Sequence, residues 1–330
     1  MSKPARFGLT LPQRGVFFEV TSPEQILDFA RRSDETAMLH SLWVGDSLTA
    51  KPRPDSLTLL GTLVGATRRL RLGVGCMASF PVRDPAQFAY QWATLDLMSA
   101  GRMELAVCTG LVAAERASQA EGAHWGVTDK ERASRMEENI EICRRLWGGE
   151  TLDYEGQFTS YQAIDIEPVP VQQPCPLWIA ANPFPGPFRE RALERVARLA
   201  DGWMSVELMP GAFSSSWADI EVNLKDLGRD PDSFPRIAYH NLNVGPDRSE
   251  ALAETARFLD AYYGPVFSPP MVEAWTAAGT IEECVAGLAR LVEGGATQVT
   301  LRLTSWDQEG QYRRYVEEIL PRLADAGLAA

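Results

Sequence analysis

Histidine and cysteine are scarce in this chain, three and five among 330 residues, and neither type clusters. His40, His124 and His240 stand far apart, and no Cys/His group has zinc-ligand spacing, which argues against a metal centre. Cys76, Cys108, Cys143, Cys175 and Cys284 show no paired spacing. An odd, scattered set points to reduced thiols in a reducing compartment. Long apolar runs are missing, so no segment reads as a bilayer span, and the start MSKPARFGLT lacks the apolar region of a signal peptide. Positive charge is in deficit: 32 Lys and Arg against 44 Asp and Glu give a formal net charge of −12, with the basic residues scattered. That speaks against a nucleic-acid or anionic-membrane partner and leaves a soluble cytoplasmic protein as the expectation. The first strand candidate runs into LTLPQRGVFF, so the glycine-rich turn of a dinucleotide-binding open sheet is absent.

What is present is alternation. The chain is 45% hydrophobic, enough for a sizeable core. Eight strand candidates are Phe7–Leu11, Ser41–Gly45, Leu70–Val74, Met103–Cys108, Leu177–Ala180, Trp203–Val206, Ile237–Val244 and Gln298–Leu303. Amphipathic stretches of helical period lie between them, among them Glu24–Met38, Ser56–Thr67, Glu131–Leu146, Phe188–Leu199, Phe213–Leu227 and Ile281–Glu293, and Gln311–Ala326 follows the last strand. Eight strand–helix repeats predict a single α/β domain over residues 1–330, a (β/α)8 TIM barrel with insertions at the C-terminal face. No Ser/Gly linker divides it. The longest irregular insert is Gly148–Cys175; a second, Tyr262–Thr280, carries the aromatic, proline-rich YYGPVFSPP and reads as a lid over the barrel mouth.

The densest information lies in residues 70–110, LRLGVGCMASFPVRDPAQFAYQWATLDLMSAGRMELAVCTG. Two apolar strands flank a helix opened by Pro85, a parallel βαβ unit whose strands end in Gly75-Cys76 and Thr109-Gly110. Small residues at both ends leave room for a flat ligand against the backbone. The Gly-x-Gly strand end, Arg83-x-Pro85, Ala93-Thr94-Leu95-Asp96, Ser99-x-Gly101-Arg102 and the Thr-Gly close, in this order, resemble the bacterial-luciferase-like family of flavin and deazaflavin oxidoreductases. The likeness continues through Arg132–Trp147, Tyr154-Glu155-Gly156, Gln173–Ala180, Ala200–Trp203 and Ala278-Gly279-Thr280, nearly the whole chain.

The resemblance implies a flavin-type ring in the barrel mouth, either coenzyme F420 exchanging a hydride with a small organic substrate or reduced FMN serving a monooxygenase. A non-catalytic flavin-binding protein is the reading from another class. It also implies a non-proline cis peptide at Gly75–Cys76, against the ring. Asp46, at the end of the second strand, is expected at the cofactor as the catalytic residue. Gly75, Cys76, Thr109 and Gly110 are expected to bound the ring, and the backbone at Ala180, Ala181 and Asn182 to hold the cofactor phosphate. Strand alternation is expected to turn Asn241, Asn243 and Arg302 inward, with Arg302 and Asn243 toward substrate. Members that oxidise sugar phosphates read Asp-His where this chain reads Asp46-Ser47, and a basic residue where this chain has Glu273-Ala274-Trp275, so a sugar-phosphate substrate is not expected. His40, below the second strand, and His240, mid-strand, read as structural, and His124 as a loop residue. The lid aromatics Tyr262, Tyr263 and Phe267 suggest a mostly apolar substrate. Broad apolar faces on the helices after strands two and three suggest a homodimer.

Overall fold

The computed structural model describes residues 3–110, 116–182, 184–186 and 188–330. Its strands are β1 (Arg6–Thr10), β2 (Ser41–Val44), β3 (Arg71–Met77), β4 (Met103–Val107), β5 (Leu152–Glu155), β6 (Ser160–Ile164), β7 (Leu177–Ala180), β8 (Gly202–Ser205), β9 (Arg236–Val244), β10 (Thr276–Gly279) and β11 (Gln298–Leu303). The helices are α1 (Pro23–Glu35), α2 (Ser56–Ala66), α3 (Pro85–Met98), α4 (Arg116–His124), α5 (Arg132–Trp147), α6 (Arg189–Leu199), α7 (Ala212–Asp226), α8 (Arg248–Tyr263), α9 (Pro269–Ala274), α10 (Ile281–Glu293), α11 (Gln308–Arg314) and α12 (Leu320–Asp325).

β1, β2, β3, β4, β7, β8, β9 and β11 pair in parallel in that order, and β11 returns to β1. This is the closed eight-stranded barrel expected from the repeats. Alternation along each strand separates two cores. Leu42, Val44, Leu72, Val74, Leu105 and Val107 face the helices, whereas Trp43, Ala106, Trp178, Met204, Ile237 and Tyr239 fill the interior. The lower end of the interior is polar: Arg71 pairs with Glu104 at 2.6 Å. Local chemistry starts several helices. Ser22 and Gln25 form a capping box ahead of Pro23, and Thr280 and Glu283 form another on α10. Asp84 accepts from the Gln87 amide, with Pro85 at the first position of α3.

Two details differ from expectation. The Gly148–Cys175 insert, read as irregular, contains the antiparallel β5–β6 hairpin, and Tyr161 of β6 donates to Asp84 at the start of α3 at 2.8 Å. Helix α5 carries the chain back down before the insert begins, and Glu138 of α5 accepts the Gln157 amide at 2.8 Å. Farther on, Gln172 is bonded to Asp96 at the end of α3 and to Arg71 at the barrel floor. The second insert does sit at the mouth, but it is regular in part. It holds α9 and β10, and β10 pairs with the upper half of β9 beyond the point where β8 ends. The last helix begins at Gln308 and passes through a π turn, Tyr315–Ile319. No described helix is long and apolar enough to cross a membrane.

Candidate active site

The C-terminal strand ends form a mouth with two unlike sides. On the β3, β4, β7 and β8 side the surface is small and apolar. Cys76, Ala180 and Val206 lie on a floor of Trp43, Ala106, Trp178, Met204, Ile237 and Tyr239. The Gly75–Cys76 peptide is cis, and the β3–β4 register shifts between Gly75 and Met77. A Cβ at Gly75 would stand 3.0 Å from Trp43 Cε3 and 3.0 Å from Met204 Cε, so glycine lets the strand end settle on the floor. Cys76 is joined to Cys108 by a disulfide that staples the ends of neighbouring strands. This corrects the expectation that all five cysteines are reduced thiols. Two cysteines 32 residues apart meet only because β3 and β4 are paired, a proximity invisible in the spacing. Cys143, Cys175 and Cys284 are free and buried.

Asp46 stands at the end of β2, but its carboxylate is fully occupied. Oδ1 accepts the Ser56 hydroxyl at 2.6 Å, Oδ2 accepts the Ser79 amide at 2.8 Å, and Arg83 lies 3.6 Å away. The group ties the loop after β2 to the loop after β3, and its side chain has no exposed surface. Both oxygens serve the scaffold, an arrangement that fixes loop position; the catalytic role expected of Asp46 requires a substrate to reach this buried side chain. Gln13 performs a similar service at the same strand end: its amide brackets Gly45, donating to the carbonyl at 3.0 Å and accepting from the N–H at 2.6 Å.

Thr109 and Gly110 are half-buried at the rim beyond β4, and Gly110 takes a positive φ of 83°. Arg132 of α5 supports them from beneath, donating to the Thr109 carbonyl at 3.3 Å. Beyond β7 the Ala181 amide is taken by the Met204 carbonyl at 3.1 Å and is not free to meet a phosphate. Asn182 Oδ1 accepts both the Ser205 hydroxyl and the Val206 amide at 3.0 Å. A small cleft of about 20 Å³ opens beside them, lined by Asn182, Phe184, Ser205, Val206, Leu208, Met209, Ala212 and Ser216. Pro183 and Pro187 of the same loop lie outside the described residues.

The opposite side, formed by β1, β9, β11 and the lid, is cationic and aromatic. Arg302 of β11 donates to the hydroxyls of Tyr239 and Tyr263. Its guanidinium lies 4.8 Å from the ring centre of Tyr239, 4.6 Å from Tyr262, 5.0 Å from Tyr263 and 5.3 Å from Trp275. Burial by itself pulls its pKa down, but the three tyrosines outweigh this, raise the pKa above the ordinary guanidinium value and hold the group charged. Arg14 also lies 4.7 Å from the ring centre of Tyr262, and Arg53 lies 5.8 Å from it. The structure thus brings together Arg14, Arg53, Tyr239, Tyr262 and Arg302, of which Arg302 had been expected toward substrate and Tyr262 in the lid. The alternation signal did reach Asn241, which pairs in register with Arg302 and shares its face.

Asn243 does not join them. Its amide nitrogen lies within hydrogen-bond distance of Ala251 O, Glu254 Oε2, Thr255 Oγ1 and Thr304 O, and its oxygen accepts from Gln311. Asn243 was expected toward substrate; it lies one residue past the last β9–β11 register pair, Leu242–Leu303, and its side chain bonds to α8, Thr304 and α11. The histidines stand apart from the mouth. His240 faces the helix layer, and burial depresses its pKa to about 3. Half-buried His40 is depressed to about 4 by burial and nearby arginines, and His124 is exposed on α4. A groove of about 610 Å³, lined by residues including Asp247, Arg248, Glu273 and Glu283, lies on the outer side of the lid. It shares no residue with the mouth.

A closed (β/α)8 barrel whose mouth opposes an apolar side to a charged one has the architecture of a TIM-barrel enzyme, with its candidate site at the C-terminal strand ends. The sequence profile of the Luciferase-like monooxygenase family matches residues 5–273, and the chain belongs to that family of oxidoreductases. Among its relatives is an F420-dependent glucose-6-phosphate dehydrogenase of Microbacterium testaceum (strain StLB037), 28% identical over 348 residues that cover 98% of this chain and 98% of the relative. A phthiodiolone/phenolphthiodiolone dimycocerosates ketoreductase of Mycobacterium kansasii is 32% identical over 58% of this chain and 50% of its own. The fold matches an F420-dependent secondary alcohol dehydrogenase solved with an F420-acetone adduct, with a TM-score of 0.79, 17% identity, and coverage of 99% of this chain and 100% of the other. It also matches a monooxygenase from Streptomyces bottropensis, with a TM-score of 0.76, 22% identity, and coverage of 96% and 99%.

Proposed function

We propose that the protein, acting as one unit over residues 1–330, exchanges a hydride between coenzyme F420 and a small organic substrate in the barrel mouth. The observation that carries the reading is the full-length likeness to F420-dependent dehydrogenases, 98% of both chains for the Microbacterium relative. The residues fit such a group. Gly75, Cys76, Ala180 and Val206 offer a flat apolar bed on the Trp43 and Trp178 floor, and Thr109 and Gly110 form its rim. Bound there, the deazaflavin supplies a two-electron hydride carrier with little oxygen reactivity. The chain's own residues do the rest. The floor orients the ring, Asp46 and Gln13 hold the strand-end loops in register, and the Tyr262, Tyr263, Phe267 and Trp275 lid excludes water. The purified protein is expected to bind F420 at least tenfold more tightly than FMN, read by fluorescence titration with each. Tenfold is about 1.4 kcal/mol, within reach of one or two contacts. Preferential FMN binding, with oxygen consumed in proportion to product, would replace this reading by the monooxygenase.

The same proposal includes a homodimer. Tyr90, Leu97 and Met98 recur at helical spacing on one face of α3, with 49%, 47% and 69% of their surfaces exposed. Light scattering is expected to return twice the chain mass; a dilution-independent monomer contradicts it. Cytoplasmic residence also belongs to the proposal, supported by the full-length likeness to F420-dependent dehydrogenases.

A further inference from the structure

On the cationic side of the mouth, Arg14 and Arg302 are buried with no negative partner among the described residues. Arg302 and Arg14 retain only 3% and 6% of their exposed surface, and the Nη1 atom of each has no hydrogen-bond partner. Arg53 is half-buried beside them. The charged or titratable neighbours that act most strongly on Arg14 and Arg302 are tyrosines and other arginines, with no carboxylate among them. The lower end of the barrel supplies the contrast, since there Arg71 is answered by Glu104 at 2.6 Å. A buried cation without an anion is costly, and contacts with tyrosine faces offset only part of that cost. Asn241, fully buried, has neither amide atom satisfied, and its register pairing with Arg302 puts it on the same face. Unpaired donors on three elements therefore converge below the lid.

The geometry assigns this cluster as an oxyanion subsite: Arg302, Arg14, Arg53 and Asn241 receive a carboxylate or phosphoryl group carried by the organic substrate. Planar guanidinium forks match such groups in shape as well as charge. Phe18, Tyr262, Tyr263, Phe267 and Trp275 wall the space, so the rest of the substrate is apolar or aromatic. An anion held at β1, β9 and β11 directs the remainder of the molecule across the mouth toward the apolar bed at β3, β4 and β7. The tyrosines respond to the same field. Burial alone would raise Tyr262, yet Arg53, Arg302, Arg14 and Lys51 together hold it below the ordinary phenol range. Burial keeps Tyr239 and Tyr263 above that range. The substrate is therefore amphiphilic and anionic, not the mostly apolar molecule that the lid aromatics alone suggested. This inference rests on the mouth being the reaction site.

The test is calorimetric titration of cofactor-free protein with benzoate, its neutral isostere benzamide, and inorganic phosphate. Benzoate or phosphate is expected to bind, with benzamide at least tenfold weaker than benzoate if the carboxylate is the preferred group. Arg302→Gln and Arg53→Gln are each expected to weaken the anion at least fivefold and to leave benzamide unchanged. Arg53 is half-buried and makes few bonds, so its variant keeps the test open if Arg302→Gln fails to fold. Binding of phosphate without benzoate identifies the group as phosphoryl. Failure of both anions to bind, or binding unaffected by Arg53→Gln, overturns the subsite. A parallel F420 titration separates the two readings. If Arg53→Gln weakens F420 tenfold and F420 displaces the anion, the cluster holds the cofactor tail and the substrate assignment falls. If F420 does not bind while the anions do, the cofactor reading fails and the subsite stands.

Discussion

Trp43→Ala is expected to lower stability by about 4 kcal/mol, read from the denaturant midpoint at unchanged slope. The indole is fully buried in the barrel interior, packs on Trp178 at 5.7 Å between ring centres, and donates Nε1–H to Ser41 at 2.9 Å. Gly73 and Gly75 both lie against its ring, so neither has a side chain to collapse into the void. Truncation removes the transfer energy of the indole and leaves a cavity beneath the apolar surface of Cys76, Ala180 and Val206. Trp43→Phe should lose about 1–2 kcal/mol, since most of the volume stays. A loss below about 1 kcal/mol for the alanine variant would mean the interior is not packed around this residue.

Asp46→Ala is expected to cost about 3 kcal/mol, with Asp46→Asn costing less. Truncation strands the Ser79 amide and the Ser56 hydroxyl in a buried place and takes away a negative neighbour of Arg83. Arg83 would keep the Ser79 hydroxyl at 2.7 Å and Asp55 at 3.3 Å, and Asp55 is itself substantially exposed. The sequence pointed the other way, toward a catalytic carboxylate whose loss harms hydride transfer more than folding. The denaturation midpoint decides. If Asp46→Ala folds as well as the parent and has lost turnover with F420 still bound, the carboxylate acts on substrate and the positioning role is wrong.

The barrel was legible because its cause is local. Val, Leu and Ile in strand-length runs, each followed by a helical period and punctuated by Pro23, Pro85 or Thr280, leave little freedom in element type. The strands at 177–180 and 298–303 have the bounds that the pattern predicted. The hairpin at 152–164 and the strand at 276–279 escaped notice. The hairpin strands are short and mostly exposed, and β10, TAAG, has no alternation.

The site was legible only in part, for a physical reason. Residues near one another in sequence, such as Gly75-Cys76 or Thr109-Gly110, identify a strand end by themselves. What a side chain does there depends on partners that the sequence does not place beside it. Asp46 looked free until Ser56, Ser79 and Arg83 folded around it, and Asn243 looked inward until α8 and α11 used its amide. Residues 14, 53, 241, 262 and 302 carry no shared motif, and their unpaired charge exists only when β1, β9, β11 and the lid converge. Sequence by itself determined the barrel, the family and the apolar bed, because those rest on periodicity and on small residues at fixed spacing. Tertiary structure decided which polar groups are consumed by the scaffold and which are left over, because hydrogen-bond satisfaction is a property of neighbours in space.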